Sequence, residues 1–254
     1  MTRTFILYQF PLSLYCEKTR WHLDHKQLPY RCRDLIPGLH LSLAHWLAGI
    51  PTLPVLRTDI TTIGDSTDIA LWLEQAFSEH SLLPEPGIER ERVLAHEAYY
   101  DELGDHVRRC VWSLAVDGPQ VEQIFFGFSG YSALSRWIGR HTVPVLRRML
   151  RWRFRLQPDR ITDSWARVSA ALDYSEALLH QRDDGYLVND RFTLADLTAA
   201  SMLAPLIGPP GSPWSDARIG IEPGPEREAL RDRPIGRWVT HMYERHRGKP
   251  YDSC

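Results

Sequence analysis

The sequence predicts an α/β domain over residues 1–84 followed by an all-α domain over residues 90–254. Three observations carry this. Up to Phe77, apolar runs rich in β-branched and aromatic residues alternate with helical spacing in the order β-α-β-α-β-β-α. A stretch rich in Pro and Gly, Leu82-Leu83-Pro84-Glu85-Pro86-Gly87, then interrupts the pattern. Beyond it only helical periodicity remains, from Ile88 to about His180.

Taken in order, Thr4 to Phe10 (TFILYQF) reads as a buried strand ending at Pro11. Leu14 to Lys26 has helical spacing, with Trp21 and Leu23 apolar and Glu17, Lys18 and Arg20 expected to face solvent. Tyr30 to Leu35 is a second strand, closed by Pro37-Gly38, and a weak helix follows through Trp46. Pro51 to Arg57 and Ile60 to Ile63 read as two strands of a hairpin joined by a two-residue turn, Thr58-Asp59. A helix starts at Gly64-Asp65-Ser66 and runs to about Phe77. In the second domain, helical periodicity breaks near Asp117-Gly118-Pro119 and at Gln157-Pro158. Phe192 to Leu206 is a further helix, Leu206 to Pro225 an ordered loop, and residues 234–246 a last helix.

Composition narrows the function classes. Hydrophobic residues make up 43% and charged residues 24% of the 254, ordinary for a chain with a sizeable core. A net charge of −2 gives no reason to expect a nucleic-acid or anionic-membrane partner. No apolar run approaches the ~18 residues of a membrane span. The first ten residues lack the long apolar region of a signal peptide, so a cytoplasmic location is expected. Cys16, Cys32, Cys110 and Cys254 form no CxxC pattern. No metal site is expected from them, and in a reducing compartment they would be free thiols.

Three short motifs can carry chemistry. The turn Phe10-Pro11-Leu12-Ser13-Leu14-Tyr15-Cys16 leads into a helix, whose free N–H groups stabilise a thiolate placed there. Ser13 could hydrogen-bond such a sulfur; the plain alternative is a Ser N-cap with a buried Cys16. A cis Leu53–Pro54 bond would turn the Leu53 backbone toward a bound peptide; the alternative is a trans proline on an edge strand. Asp65 and Ser66 start a helix whose N–H groups and Ser66 hydroxyl suit a carboxylate, with Asp65 beside it for an ammonium. Each is also an ordinary helix cap.

Together, in this order and spacing, the three motifs resemble the N-terminal domain of glutathione transferases. The run Ser-Leu-Tyr-Cys-Glu-Lys-Thr-Arg from Ser13 to Arg20 is similar to Ser-type, zeta-like members, and the Phe10-Pro11 flank resembles the omega class. Phe192-Thr193-Leu194-Ala195-Asp196-Leu197 resembles the family's helix-capping motif, with Thr193 and Asp196 as a capping box. The resemblance implies a thioredoxin-like domain followed by a helical one, and a glutathione transferase that conjugates glutathione to an apolar electrophile. It implies Ser13 as the catalytic hydroxyl, with Cys16, Tyr8 and Tyr15 as competitors. Leu53 and Pro54 would hold the cysteinyl backbone, Asp65 and Ser66 the γ-glutamyl end, and His40 the glycyl carboxylate. Tyr15, Tyr99 and Tyr100, with His96 nearby, would line the second-substrate pocket. The partners implied are glutathione and the electrophile, in a cytoplasmic homodimer without nucleic acid or membrane. A non-catalytic scaffold and a Cys16-dependent thiol transferase are the alternatives. Residues 206–235 match nothing in the family. The run Arg147, Arg148, Arg151, Arg153 and Arg155, with Trp152 and Phe154, is either a solvated face or an anion site.

Overall fold

The computed structural model describes residues 5–35, 40–118, 121, 133–182, 184–220 and 223–248, with residues 133–142 as backbone alone. The Pro37-Gly38 turn, Pro119 and Cys254 lie outside the described residues. In the first domain the order is β1 (Phe5–Gln9), α1 (Leu14–His25), β2 (Tyr30–Asp34), α2 (His40–Ala48), β3 (Val55–Arg57), β4 (Thr62–Gly64) and α3 (Ser66–Ala76). The sheet order is β2-β1-β3-β4: β1 and β2 are parallel, and β3 is antiparallel to both its neighbours. This is a thioredoxin-like arrangement. Strand alternation sorts the two faces. Phe5 and Leu7 pack with Leu23, Leu56, Ile69 and Leu73 from α1, β3 and α3. Tyr8 packs with Ala44 of α2 and Val55 on the other face.

The second domain has α4 (Ile88–Ala115), α5 (Ala133–Arg153), α6 (Pro158–His180), α7 (Leu194–Ile207), α8 (Asp216–Ile219), α9 (Pro225–Asp232) and α10 (Pro234–His246). Every residue of α7 is buried. It packs against α4, α10, α9 and, across the domain boundary, α1. A helix apolar all round belongs in a core. Its start is the predicted capping box: Asp196 accepts from the Thr193 N–H at 2.9 Å, the Thr193 hydroxyl at 2.8 Å and the Leu187 N–H at 2.8 Å.

Several expectations are corrected. Glu17, Lys18 and Arg20 do not face solvent; all three are fully buried. Helix α1 has no solvent face because α3 covers one side and α4 and α7 the other; Lys18 and Glu17 meet the distant Glu97 and Arg247, and Arg20 pairs with Glu17 one turn away. Pro51 to Leu53 is not strand, since β3 begins only after Pro54, which has no N–H to donate to a ladder. The hairpin turn spans four residues, Thr58–Thr61, because the Thr58 N–H and hydroxyl both donate to the Thr61 carbonyl, at 2.8 and 2.9 Å. The interdomain linker is packed: Leu82, Leu83 and Pro84 are buried, and the Leu194 N–H donates to the Leu82 carbonyl at 3.0 Å. The segment after α7 holds α8 and α9, which close the C-terminal end of α7. Arg227 and Arg231 donate to the Ile207 carbonyl, pair with Asp216, and place positive charge at the negative end of the dipole. Cys16 and Cys110 are free thiols, but Cys32 is disulfide-bonded, so the expectation of free thiols throughout is corrected.

Candidate functional site

The β1–α1 turn delivers Ser13 to the start of α1. Its backbone is extended (φ −86°, ψ 123°), its Oγ accepts from the Cys16 N–H at 3.4 Å, and its N–H donates to the Phe10 carbonyl at 3.0 Å. Ser13 is half-buried, and its hydroxyl hydrogen has no acceptor among the described residues. One helical turn on, Cys16 has no exposed surface. Burial pushes its thiol up from the ordinary value, against the opposing effects of Arg20 and the Ser13 hydroxyl. A sealed, neutral thiol cannot reach a substrate. Tyr8, the other competitor, is buried between Ala44 and Val55.

The Leu53–Pro54 peptide bond is cis and stands at the head of β3, with Leu53 half-buried and Pro54 buried. Two strands away in sequence, Asp65 caps α3. Its Oδ1 accepts from the N–H groups of Thr67 at 2.8 Å and Asp68 at 3.3 Å. Asp65 has φ +70°, a conformation uncommon for a residue with a side chain and held only where the surroundings enforce it. Ser66 behind it is 2% exposed, and its hydroxyl donates to Asp101 Oδ1 at 3.4 Å.

Beneath Ser66 lies a charge cluster with no counterpart in the sequence reading. The Lys18 ammonium donates to Thr67 Oγ1 at 2.9 Å, to Asp101 Oδ1 at 2.6 Å and to Glu97 Oε1. The Thr67 hydroxyl donates to the same Glu97 oxygen at 2.7 Å. Two carboxylates of α4 thus neutralise one cation of α1 and join both helices to the first turn of α3. Asp101 keeps a quarter of its side chain exposed beside Ser66. The only signal in the sequence is an acid–base pair, Glu17-Lys18, on a helix flanked by Trp21 and Leu14; the partners lie far along the chain.

A wall of α4 also stands against α1 at Tyr15. The Tyr15 hydroxyl lies 3.1 Å from Asp105 Oδ1 and 3.2 Å from the Asp101 carbonyl. The Arg108 guanidinium sits 5.6 Å from the Tyr15 ring and 5.0 Å from the Phe154 ring. At Gly104 a Cβ would come within 2.9 Å of both Leu14 Cδ1 and the Tyr15 hydroxyl, so α1 rests directly on the α4 backbone. Tyr99 and Tyr100 are not brought to this wall. Tyr100 is fully buried, with its hydroxyl 2.7 Å from Ser175 Oγ. Tyr99 lines a separate groove of about 430 Å³ with Ala95, His96 and Tyr174. A polar cavity of about 310 Å³ under the linker, lined by Glu74, Ser81, Arg90 and Arg191 among others, is also apart from Ser13, Leu53 and Asp65. His40 opens α2, half-buried, on the side of β3 and β4. In the basic run, Arg147 donates to the Gly118 carbonyl at 3.1 Å and Arg151 pairs with Asp117, so both fasten α5 to the end of α4.

Among the described residues no group of three His, Cys, Asp or Glu side chains is placed to hold a metal ion. No helix among them is long and apolar enough to cross a membrane. Residues 7–81 match the family model described as glutathione S-transferase, N-terminal domain. A search of the curated proteins finds no match. The fold is similar to that of a glutathione S-transferase from Rhodospirillum rubrum F11, with 21% identity, a TM-score of 0.66 and 98% and 92% of the two chains covered. It is also similar to the beta-etherase LigF from Sphingobium sp. strain SYK-6, with 21% identity, a TM-score of 0.60 and coverage of 96% and 99%. A third likeness is to a glutathione S-transferase of Ceriporiopsis subvermispora in complex with glutathione, with 17% identity, a TM-score of 0.59 and coverage of 94% and 95%. The first domain therefore matches the glutathione S-transferase N-terminal family by sequence, and the whole chain has the glutathione transferase fold.

Proposed function

We propose that the protein is a glutathione transferase of the Ser type, which binds glutathione in the cleft between Ser13 and α3 and conjugates it to an apolar electrophile. The observation that carries this is the contrast at the start of α1. Ser13 offers a half-buried hydroxyl with an uncommitted hydrogen at a helix N-terminus, while Cys16 is sealed. A thiolate held at Ser13 gains a hydrogen bond and the positive end of the helix dipole. The cysteinyl backbone pairs with Leu53 beside the cis proline. The γ-glutamyl carboxylate meets the Ser66 hydroxyl and the α3 N-terminus, and its ammonium meets Asp65 and the exposed part of Asp101. A family relative of the same fold has been seen with glutathione bound, which supports the ligand class. The apolar electrophile would lie against Tyr15 and Phe154. A homodimer in the cytoplasm accompanies this reading.

The test is a pH–rate series for conjugation of glutathione to an activated aryl halide. Free cysteine thiols titrate near ~8.5, so the thiolate fraction at neutral pH responds steeply to any shift. Ser13→Ala should lower the rate before it lowers glutathione affinity, and should move the rising limb to higher pH. Cys16→Ser should keep most activity. The opposite ranking of the two variants would replace this reading with thiol-transferase chemistry, and an inactive wild type would replace it with a scaffold.

A further inference from the structure

The residue after α10 reaches back across the molecule to α1. Arg247 is 4% exposed; its Nε donates to Glu17 Oε1 at 2.8 Å and its Nη1 to Asp24 Oδ2 at 2.5 Å. Glu17 holds Arg20 with its other oxygen, Oε2, at 2.9 Å from Nε and 2.7 Å from Nη2. Arg20 in turn donates to the Pro11 carbonyl at 3.1 Å and to Gln9 Oε1. Pro11 lies in the turn that ends at Ser13. Two guanidiniums and two carboxylates make a neutral, buried quartet, fully paired. Burial alone would raise the Glu17 carboxyl, but Arg247 and Arg20 hold it below the ordinary range. The neighbouring contacts point the same way. Trp21 Nε1 donates to the His246 carbonyl at 3.0 Å, and the Tyr243 hydroxyl to Glu17 Oε1 at 3.4 Å.

We infer that Arg247 is a positioning residue for the Ser13 turn, acting through Glu17 and Arg20. Charge-assisted hydrogen bonds from two nitrogens of one planar guanidinium fix its direction as well as its distance: Arg20 places Nε and Nη2 on Glu17 Oε2, and Arg247 spans Glu17 and Asp24. Arg20 can point one guanidinium edge at Pro11 only while Glu17 is held from behind. Removing Arg247 leaves Glu17 with one cation in place of two and lets the Arg20 fork rotate away from the turn. The last helix of the second domain thereby sets the place of the reacting sulfur in the first. This inference rests on the transferase reading for its kinetic consequence, but its structural half stands apart from it.

The experiment uses the full chain with Arg247→Met, Arg247→Lys, and Arg231→Lys as a variant of the same residue type at the far end of α7. Arg247→Lys keeps the buried charge and so remains folded where Arg247→Met does not, but it cannot reach Glu17 and Asp24 together. The first readout is hydrogen exchange of the amides of residues 13–17, without glutathione. Both Arg247 variants should speed it about tenfold or more, and Arg231→Lys should not. The second is the conjugation pH–rate profile at a temperature where each variant is folded. Misplacing the turn should cost about tenfold to a hundredfold in kcat, with the KM for glutathione little changed and the rising limb moved upward. Unchanged exchange in folded Arg247→Lys overturns the inference, whatever the protein binds. Faster exchange with a wild-type pH–rate profile also overturns it. A wild type that exchanges as expected but does not conjugate sinks the transferase reading and leaves the clamp intact.

Discussion

Two helices of this molecule begin in the same chemical way and serve different ends. Helix α3 is capped by Asp65, and α7 by Thr193 with Asp196. At α7 the carboxylate is wholly buried, accepts three hydrogen bonds, and closes on a helix with no exposed residue. At α3 the capping carboxylate is exposed, its backbone sits at φ +70°, and the hydroxyl next to it has one long contact, 3.4 Å to Asp101. A helix start whose buried carboxylate takes three hydrogen bonds from within is a structural joint. A helix start with a strained, exposed cap and an under-used hydroxyl is a place prepared for something that arrives from outside.

Four changes test that difference, from the largest effect to the smallest. Asp196→Ala strands the Leu187 and Thr193 donors in the core and should lower stability by about 2–4 kcal/mol in urea unfolding. The glutathione affinity of the folded fraction should be unchanged; a loss of affinity would mean the two helix starts are not separable. Ser66→Ala should do the reverse. It should weaken glutathione binding by about 1–3 kcal/mol in calorimetry with little effect on stability. Equal affinity would remove α3 from the site.

The third change is acid. Two histidines pack on Phe192, the residue before the α7 cap: His246 stacks on it at 4.2 Å, and His25 lies 5.7 Å from the same ring. Burial holds both imidazoles down at about 4. Their neutral forms therefore favour the fold above the free value near ~6.5, and that contribution is lost as pH falls toward 4. Asp196, raised by burial to about 6, works in the other direction over nearly the same range. Two groups oppose one, so the melting temperature should fall between pH 7 and pH 4.5, and Asp196→Asn should make the fall steeper. A flat or rising profile would contradict the assignment. The smallest effect belongs to Asp65→Gly. It removes a cap but relieves a positive φ, so stability should change by under about 1 kcal/mol while glutathione affinity drops. A large loss of stability would make Asp65 as structural as Asp196.

Local signals made much of this legible. The strand and helix order, the capping box at Thr193 and the last helix at 234–246 all follow from neighbours within a few residues, whereas the residues alone leave the Leu53–Pro54 bond, cis in the structure, open between cis and trans. The errors share one cause. Glu17, Lys18 and Arg20 read as a solvated face because a charge in sequence carries no mark of its partner. Glu17 pairs with Arg247, and Lys18 with Glu97 and Asp101, all brought in by the second domain, while Arg20 is held by Glu17 of its own helix. The resemblance puts Tyr99 and Tyr100 at the second-substrate pocket, yet helical rotation carries them to the side that meets α6, beside Ser175 and Tyr174. Only the three-dimensional neighbours decide which face of a long helix is the wall of a site.

Gly104 carries a consequence for how this protein could be altered. Because Gly104 has no side chain, Leu14 and Tyr15 of α1 and Met202 of α7 close directly on the α4 backbone. A methyl group there would be a shim. It would press on Met202 Sδ of α7 at 2.6 Å and on Leu14 Cδ1 and the Tyr15 hydroxyl of α1 at 2.9 Å, the hydroxyl that lies beside Asp101 and Asp105. Even alanine at this one position would therefore force Met202, Leu14 or Tyr15 to shift, while leaving Ser13 and Ser66 untouched in sequence.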